Sequence, residues 1–199
     1  TGPGVANVGH NHPEVIAEVK RVYDNDEAGW SGNMILNKYQ IELAEKLCEI
    51  TPGKFPKKVF FSNSGGEAVE AAIIACLKRR PDRRGCVSFL GDFHGRLGFG
   101  RTATTSRAMH HERMPWGLEK AFFLVFPAVN PESGINERFL FNIGTQKYLD
   151  YVESTIGPFI NEINFALFEL VQGEGGINVA EKELLRELIW YLRQNKVWV

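Results

Sequence analysis

Three short stretches of this 199-residue chain combine side chains and backbone in ways that could hold a charged small molecule. The first is Ser64-Gly65-Gly66-Glu67, where an apolar burst turns into a helical pattern. Glycines at 65 and 66 leave first-turn amides uncovered, and the helix dipole puts partial positive charge there, so an anion such as phosphate fits. The competing reading is an S-x-x-E capping box, with Ser64 accepting from helix amides and Glu67 reaching back. The second stretch is Phe93-His94-Gly95-Arg96, at the carboxyl end of a predicted strand. A flat aromatic and a guanidinium in that position can stack on a ring and clamp a carboxylate. Taken singly, Phe93 reads equally as loop packing, His94 as a hydrogen-bonded structural histidine and Arg96 as a solvated charge.

The third stretch is Glu169 to Gly176, where Glu169 closes an apolar run and Gln172 and Glu174 follow among glycines. A carboxylate there is costly to bury unless it is partnered, and such groups mark sites where proton affinity is tuned. Glu169 and Glu174 also admit a glycosidase reading, although a glycine turn between them fixes no separation. A nucleoside-triphosphate loop and the three-glycine dinucleotide fingerprint are both missing. His10 with His12, and His110 with His111, lack a carboxylate or thiol at metal spacing, so no metal site is expected.

These stretches need elements to position them. Pro13 opens a helical pattern through Val15, Ile16, Val19 and Val22. Asn37 and Gln40 make a capping box ahead of Ile41, Leu43, Ala44, Leu47 and Cys48, with Thr51-Pro52-Gly53 as the stop. Short apolar runs at Lys58 to Asn63, Cys86 to Gly91, Ala121 to Phe126 and Phe165 to Val171 read as strands separated by helix-length segments. Pro127 to Gly134 reads as a surface loop before a helix ending near Ile156, and a last helix is flanked by Lys182 and Lys196. Buried strands alternating with helices imply an α/β fold with a mainly parallel sheet covered on both faces, because parallel strands need long crossovers.

Composition narrows the partners. A formal charge of −1 and 44% hydrophobic content describe a globular chain without a basic field for nucleic acid. The apolar run from Ala121 to Val129 is broken by Pro127 and is too short to span a bilayer, and no signal segment opens the chain, so a cytoplasmic protein away from membranes is expected. Cys48, Cys76 and Cys86 are odd in number and widely spaced, so they read as core residues, not as a disulfide framework. Thr1 at the start, and Val197 to Val199 reading as the first residues of a buried strand, suggest a fragment.

Taken together, "GHNHPEV" at 9 to 15, "QIELAEKL" at 40 to 47, "FSNSGGEAVEAA" at 61 to 72, "FHGR" at 93 to 96 and "ELVQGEGGI" at 169 to 177 resemble the class III aminotransferases. That family includes 4-aminobutyrate and acetylornithine aminotransferases and depends on pyridoxal 5′-phosphate. The resemblance implies residues 1–199 of a fold-type I large domain, truncated at both ends, with the N-terminal segment, the Schiff-base lysine region and the small domain absent. It implies amino-group transfer between an amino or ω-amino acid and a 2-oxo acid, in an active site completed across a homodimer. Under it, Ser64, Gly65 and Gly66 match the phosphate turn, and Phe93 the aromatic stacked on the pyridine ring. His94, Glu169 and Gln172 also fall on the cofactor side, while Arg96 and Glu174 match substrate-binding positions.

The lysine that holds the cofactor covalently and the aspartate that partners its ring nitrogen match nothing here, so the chain alone is expected to be incomplete for catalysis. An aminomutase of the same superfamily, or an inert fold fragment, are the alternatives. The sequence also departs from the family pattern. Gly66 stands where threonine or serine is usual, Val69 where asparagine is frequent, Leu97 where threonine is common and Leu170 where proline is usual. The loss of a hydroxyl at 66 bears most directly on cofactor affinity.

Overall fold

The computed structural model describes residues 6–27, 29, 35, 37–110, 118, 120–129 and 144–199. Two compact units divide the chain, Thr1–Phe61 and Ser62–Val199.

The first unit holds helices α1 (Pro13–Asp24) and α2 (Lys38–Ile50). Pro13 sits in the first turn of α1, where its missing N–H costs nothing. Asn37 caps α2, its Oδ1 accepting from Tyr39 N at 2.9 Å and Gln40 N at 3.4 Å. The two helices are tied by polar contacts. Arg21 donates to Glu18 at 2.7 Å and to the Tyr39 hydroxyl at 3.1 Å, and Tyr39 in turn donates to Glu27.

The second unit begins with α3 (Gly65–Arg79), followed by β1 (Gly85–Phe89), α4 (Gly98–Thr102), β2 (Lys120–Leu124), α5 (Thr145–Ile156) and β3 (Ile163–Ala166). A short hairpin of β4 (Val171–Gln172) and β5 (Asn178–Val179) precedes α6 (Lys182–Gln194). The three longer strands form a parallel sheet in the order β2-β1-β3, and Trp198 pairs in parallel with Phe165 on the outer side of β3. Val197 is buried, but Trp198 and Val199 are exposed, so the buried strand expected here is seen only as this single bridge.

Strand period two sends alternate residues of β1 to opposite faces. Val87 and Phe89 join Leu124, Tyr148, Val152, Ile156, Leu184, Leu188 and Leu192 in the core under α5 and α6. Cys86 joins Ile73, Ala103 and Phe165 on the other side, against α3 and α4. Helices therefore cover both faces. Burying a side chain such as Leu188, fully inaccessible here, contributes about 1.5–3 kcal/mol. Arg83 pins the far end of the sheet: it is 7% exposed and donates to the carbonyls of Ile160, Ile163 and Asn195 at 3.1–3.3 Å.

Two strand expectations change. Lys58 to Asn63 forms no strand, because its backbone has no ladder neighbour among the described residues, and Phe60 is exposed. The run from Phe165 to Val171 divides: β3 ends at Ala166, and Val171 enters the separate antiparallel hairpin. Glu169 consequently stands three residues past the strand. The predicted loop at Pro127 to Gly134 lies partly outside the described residues, as does His111.

Candidate functional site

The Ser64 turn opens α3. Ser64 has an extended backbone and its Oγ accepts from Glu67 N at 3.2 Å, while the Glu67 carboxylate accepts from Asn63 N at 2.7 Å. The cap is real, and it leaves room for an anion. The amides of Gly65 and Gly66 have no acceptor among the described residues, and a Cβ placed on Gly65 would meet nothing within 4 Å. Ser64 retains its own O–H as a donor, and a 15-residue helix supplies a full dipole behind the turn. The donor set therefore fits a phosphate.

Beside it runs the Phe93 loop. Gly95 adopts φ of +105°, and a Cβ there would lie 3.3 Å from Gly66 Cα, so the two turns touch where only glycine allows it. Glu70 of α3 reinforces the contact by accepting from Gly100 N at 2.6 Å. Phe93 is half-buried, its ring edge-on to His110 with centroids 5.2 Å apart. His110 is held in turn by Ser106 at 3.1 Å.

Glu169 joins the third turn to the second. One carboxylate oxygen accepts from Phe93 N at 2.8 Å, the other from Gly173 N at 3.1 Å. The partner demanded by a carboxylate at the end of an apolar run is thus a pair of backbone amides. Gln172 is fully buried and donates to Leu90 O and to Asp92 Oδ1, both at 2.9 Å. Gly91, with φ of +96°, makes room for that side chain: a Cβ would sit 3.0 Å from the Gln172 amide atoms.

His94 is also turned inward. It is 6% exposed, with Nε2 3.0 Å from Ser88 Oγ and 3.3 Å from Asp92 Oδ2. Ser, His and Asp meet here, but both contacts fall on one ring nitrogen, whereas a nucleophilic relay needs the carboxylate on the other. The hydrogen-bonded structural reading of His94 fits this position.

Arg96 and Glu174 line one cavity of about 400 Å³ together with Arg101, Arg107, Met109 and His110. Arg107 Nε lies 3.3 Å from Glu174 Oε2. Three guanidiniums against one carboxylate leave net positive charge in this cavity, chemistry that could pair with a carboxylate. A larger cavity of about 490 Å³, among Ile74, Leu77, Phe99 and Leu118, is mostly apolar and contains none of the expected site residues.

The structure thus brings Ser64, Gly65, Gly66, Phe93 and Glu169 along one rim, opens Arg96 and Glu174 to a cavity by that rim, and buries His94 and Gln172 behind it. Sequence reasoning missed Asp92, Arg101 and Arg107. Asp92 was open to the argument used for Glu169, being an acid directly after an apolar strand. Among the described residues, no cluster of His, Cys, Asp and Glu could hold a metal ion, and no helix is long and apolar enough to cross a membrane.

The model of the Aminotransferase class-III family matches residues 1–199. A probable 4-aminobutyrate aminotransferase of Bacillus subtilis is 31% identical over 196 residues, covering 98% of this chain and 44% of that protein. A 5-aminovalerate aminotransferase of Pseudomonas putida is 31% identical over 195 residues, covering 94% of this chain and 42% of that protein. Among solved structures, the omega transaminase of Pseudomonas jessenii in complex with PMP superposes with a TM-score of 0.76 at 18% identity, over 96% of this chain and 43% of that one. The chain therefore spans a little over two fifths of the length of these three relatives.

Proposed function

The chain belongs to the class III aminotransferases, and from that premise we propose that it forms the cofactor-gripping part of an enzyme that moves an amino group between an amino or ω-amino acid and a 2-oxo acid, with pyridoxal 5′-phosphate as carrier. The observation that carries the reading is the convergence of three turns: Gly95 against Gly66, and Glu169 bound to the Phe93 amide.

Each residue then has a physical task. The amides of Gly65 and Gly66, with the Ser64 hydroxyl, hold the phosphate against the positive end of α3. Phe93 sets the plane of the pyridine ring, and Glu169 fixes Phe93 by its backbone. His94 and Gln172 act from behind, keeping the loops in place. Arg96 orients the substrate carboxylate, with Arg101 and Arg107 adding positive field and Glu174 offsetting part of it. When bound, pyridoxal phosphate supplies the electron sink that makes the amino-bearing carbon acidic.

Two lysines are already engaged: Lys57 donates to Gly53 O at 2.7 Å, and Lys120 pairs with Glu162. Binding and orientation are thus the work proposed for this chain, and turnover for an enzyme of the relatives' length. The reading extends to a cytoplasmic homodimer, supported by exposed Val15, Val19 and Tyr23 along α1, which suit a covered face. Sedimentation that gives a monomer at every concentration would end that extension.

The central test is titration of the purified chain with pyridoxal phosphate, followed by the induced circular dichroism of the cofactor. Saturable binding, displaced by inorganic phosphate and weakened by Phe93→Ala, is expected. Binding that phosphate cannot displace would overturn the assignment of the Ser64 turn.

A further inference from the structure

We propose that Asp92 is the positioning residue of this site: one buried carboxylate that holds the aromatic loop and the Glu169–Gln172 loop in register while touching neither ligand. The inference rests on the cofactor reading above. Its side chain is fully buried. Oδ2 accepts from Phe89 N at 3.2 Å and Glu169 N at 3.3 Å, and Oδ1 accepts from Gln172 Nε2 at 2.9 Å. The end of β1 and the Glu169–Gln172 loop therefore meet on two oxygen atoms. The Asp92 carbonyl adds a third segment, accepting from Thr105 N at 2.8 Å and Ser106 N at 3.1 Å.

The histidine beside it completes the network. Ser88 gives its hydroxyl hydrogen to Ala103 O at 2.9 Å, so at 3.0 Å its oxygen accepts from His94 Nε2. The Nε2 hydrogen is shared with Asp92 Oδ2 at 3.3 Å. Every group facing the carboxylate is then a donor, apart from the Ser88 oxygen at 3.4 Å, whose hydrogen is committed elsewhere.

That arrangement makes asparagine a poor substitute. Whichever way its amide is turned, the NH₂ faces either Gln172 Nε2 or the Phe89 and Glu169 amides, so one contact becomes donor against donor. The groups released are Glu169 N, the Gln172 amide and the end of β1 just before Phe93, and Glu169 in turn holds the Phe93 amide. Among the described residues no hydrogen bond joins the Ser64 turn to Asp92, and the turn's free amides are held by α3 itself, so phosphate recognition depends far less on Asp92 than the placement of Phe93 does.

The test uses the 199-residue chain with Asp92→Asn, and Gln172→Met as a second variant that cuts the same link from the far side. Amide hydrogen exchange at Phe93, Glu169 and Gly173 is expected to quicken by about tenfold or more, with Ile163 and Leu188 unchanged. Pyridoxal phosphate is expected to bind at least about tenfold more weakly, while inorganic phosphate stays within roughly twofold. Unchanged exchange at the loops in either variant overturns the proposal. So does parallel weakening of both ligands together with a general loss of exchange protection, which marks a merely structural role. If the parent chain binds phosphate but not pyridoxal phosphate, the cofactor reading fails, and the exchange at Phe93 and Glu169 still decides whether Asp92 holds the loops.

Discussion

Arg107 Nε and Glu174 Oε2 face each other at 3.3 Å, so the carboxylate of the cavity already has a guanidinium partner. Glu174→Gln releases Arg107 to an incoming anion. Glutarate binding to the chain, measured by calorimetry, is expected to tighten about two- to fivefold at low salt, the advantage fading at high salt. Exposed pairs of this kind contribute only about 0.2–1 kcal/mol to stability, so the melting temperature hardly moves. Weaker binding in the variant would show that Glu174 itself assists the ligand.

Gly66 lacks the hydroxyl common at its position in the family, and a Cβ there would meet Leu97 Cδ1 at 3.3 Å, a flexible neighbour that can yield. Gly66→Ser should add one hydrogen bond to a charged group, about 1.5–3 kcal/mol, or roughly 10- to 100-fold in phosphate affinity. Gly66→Ala serves as the control and gains nothing. Equal affinities in the two variants would mean that phosphate sits elsewhere.

Arg83 binds three carbonyl groups from one guanidinium nitrogen. Burial lowers its pKa from the ordinary arginine value, yet the carbonyl contacts hold it in place. Arg83→Met keeps the volume and strands those carbonyls, which is expected to cost about 2–4 kcal/mol in denaturant unfolding. Loss of less than about 0.5 kcal/mol would show that water replaces the guanidinium without penalty.

Burial pushes the Cys86 thiol up to about 12 from an ordinary 9.0. The unfolded chain gives up that proton near its ordinary value, while the native chain keeps it. Between the two, the native state holds more protons, so stability is intact below pH 9.0 and declines as pH rises toward 12. Burial raises Tyr148 and Tyr191 as well, so they add to the alkaline decline. Melting temperatures of wild type and Cys86→Ala across this range should show a shallower decline in the variant. Parallel curves would remove Cys86 as a source.

What could be read in advance follows the reach of each signal. The Ser64 cap and α3 are local, written in residues three and four apart, and they stand where periodicity put them. Strand β1 was legible as an apolar run, but its end at Phe89 depends on where β2 and β3 stop pairing. Lys58 to Asn63 has strand composition and no neighbour, which no local pattern reports. Arg83 sits in a run of basic residues that carries no local sign of burial, and it is buried only because β3 and the end of α6 close over it. Asp92 carried the same signal as Glu169, an acid after an apolar strand, but its partners did not show in the sequence: Glu169 and Gln172 lie 77 and 80 residues away.

Those separations also govern how the site comes into being. Contacts spanning 76 to 82 residues, from Phe93 to Glu169 and from Leu90 to Gln172, give a high contact order, and loops of that length close only after much of the sheet has formed. Excised peptides carrying one turn each will not reproduce the rim. In refolding, native spectroscopic signals from the helices should return first, and ligand binding last.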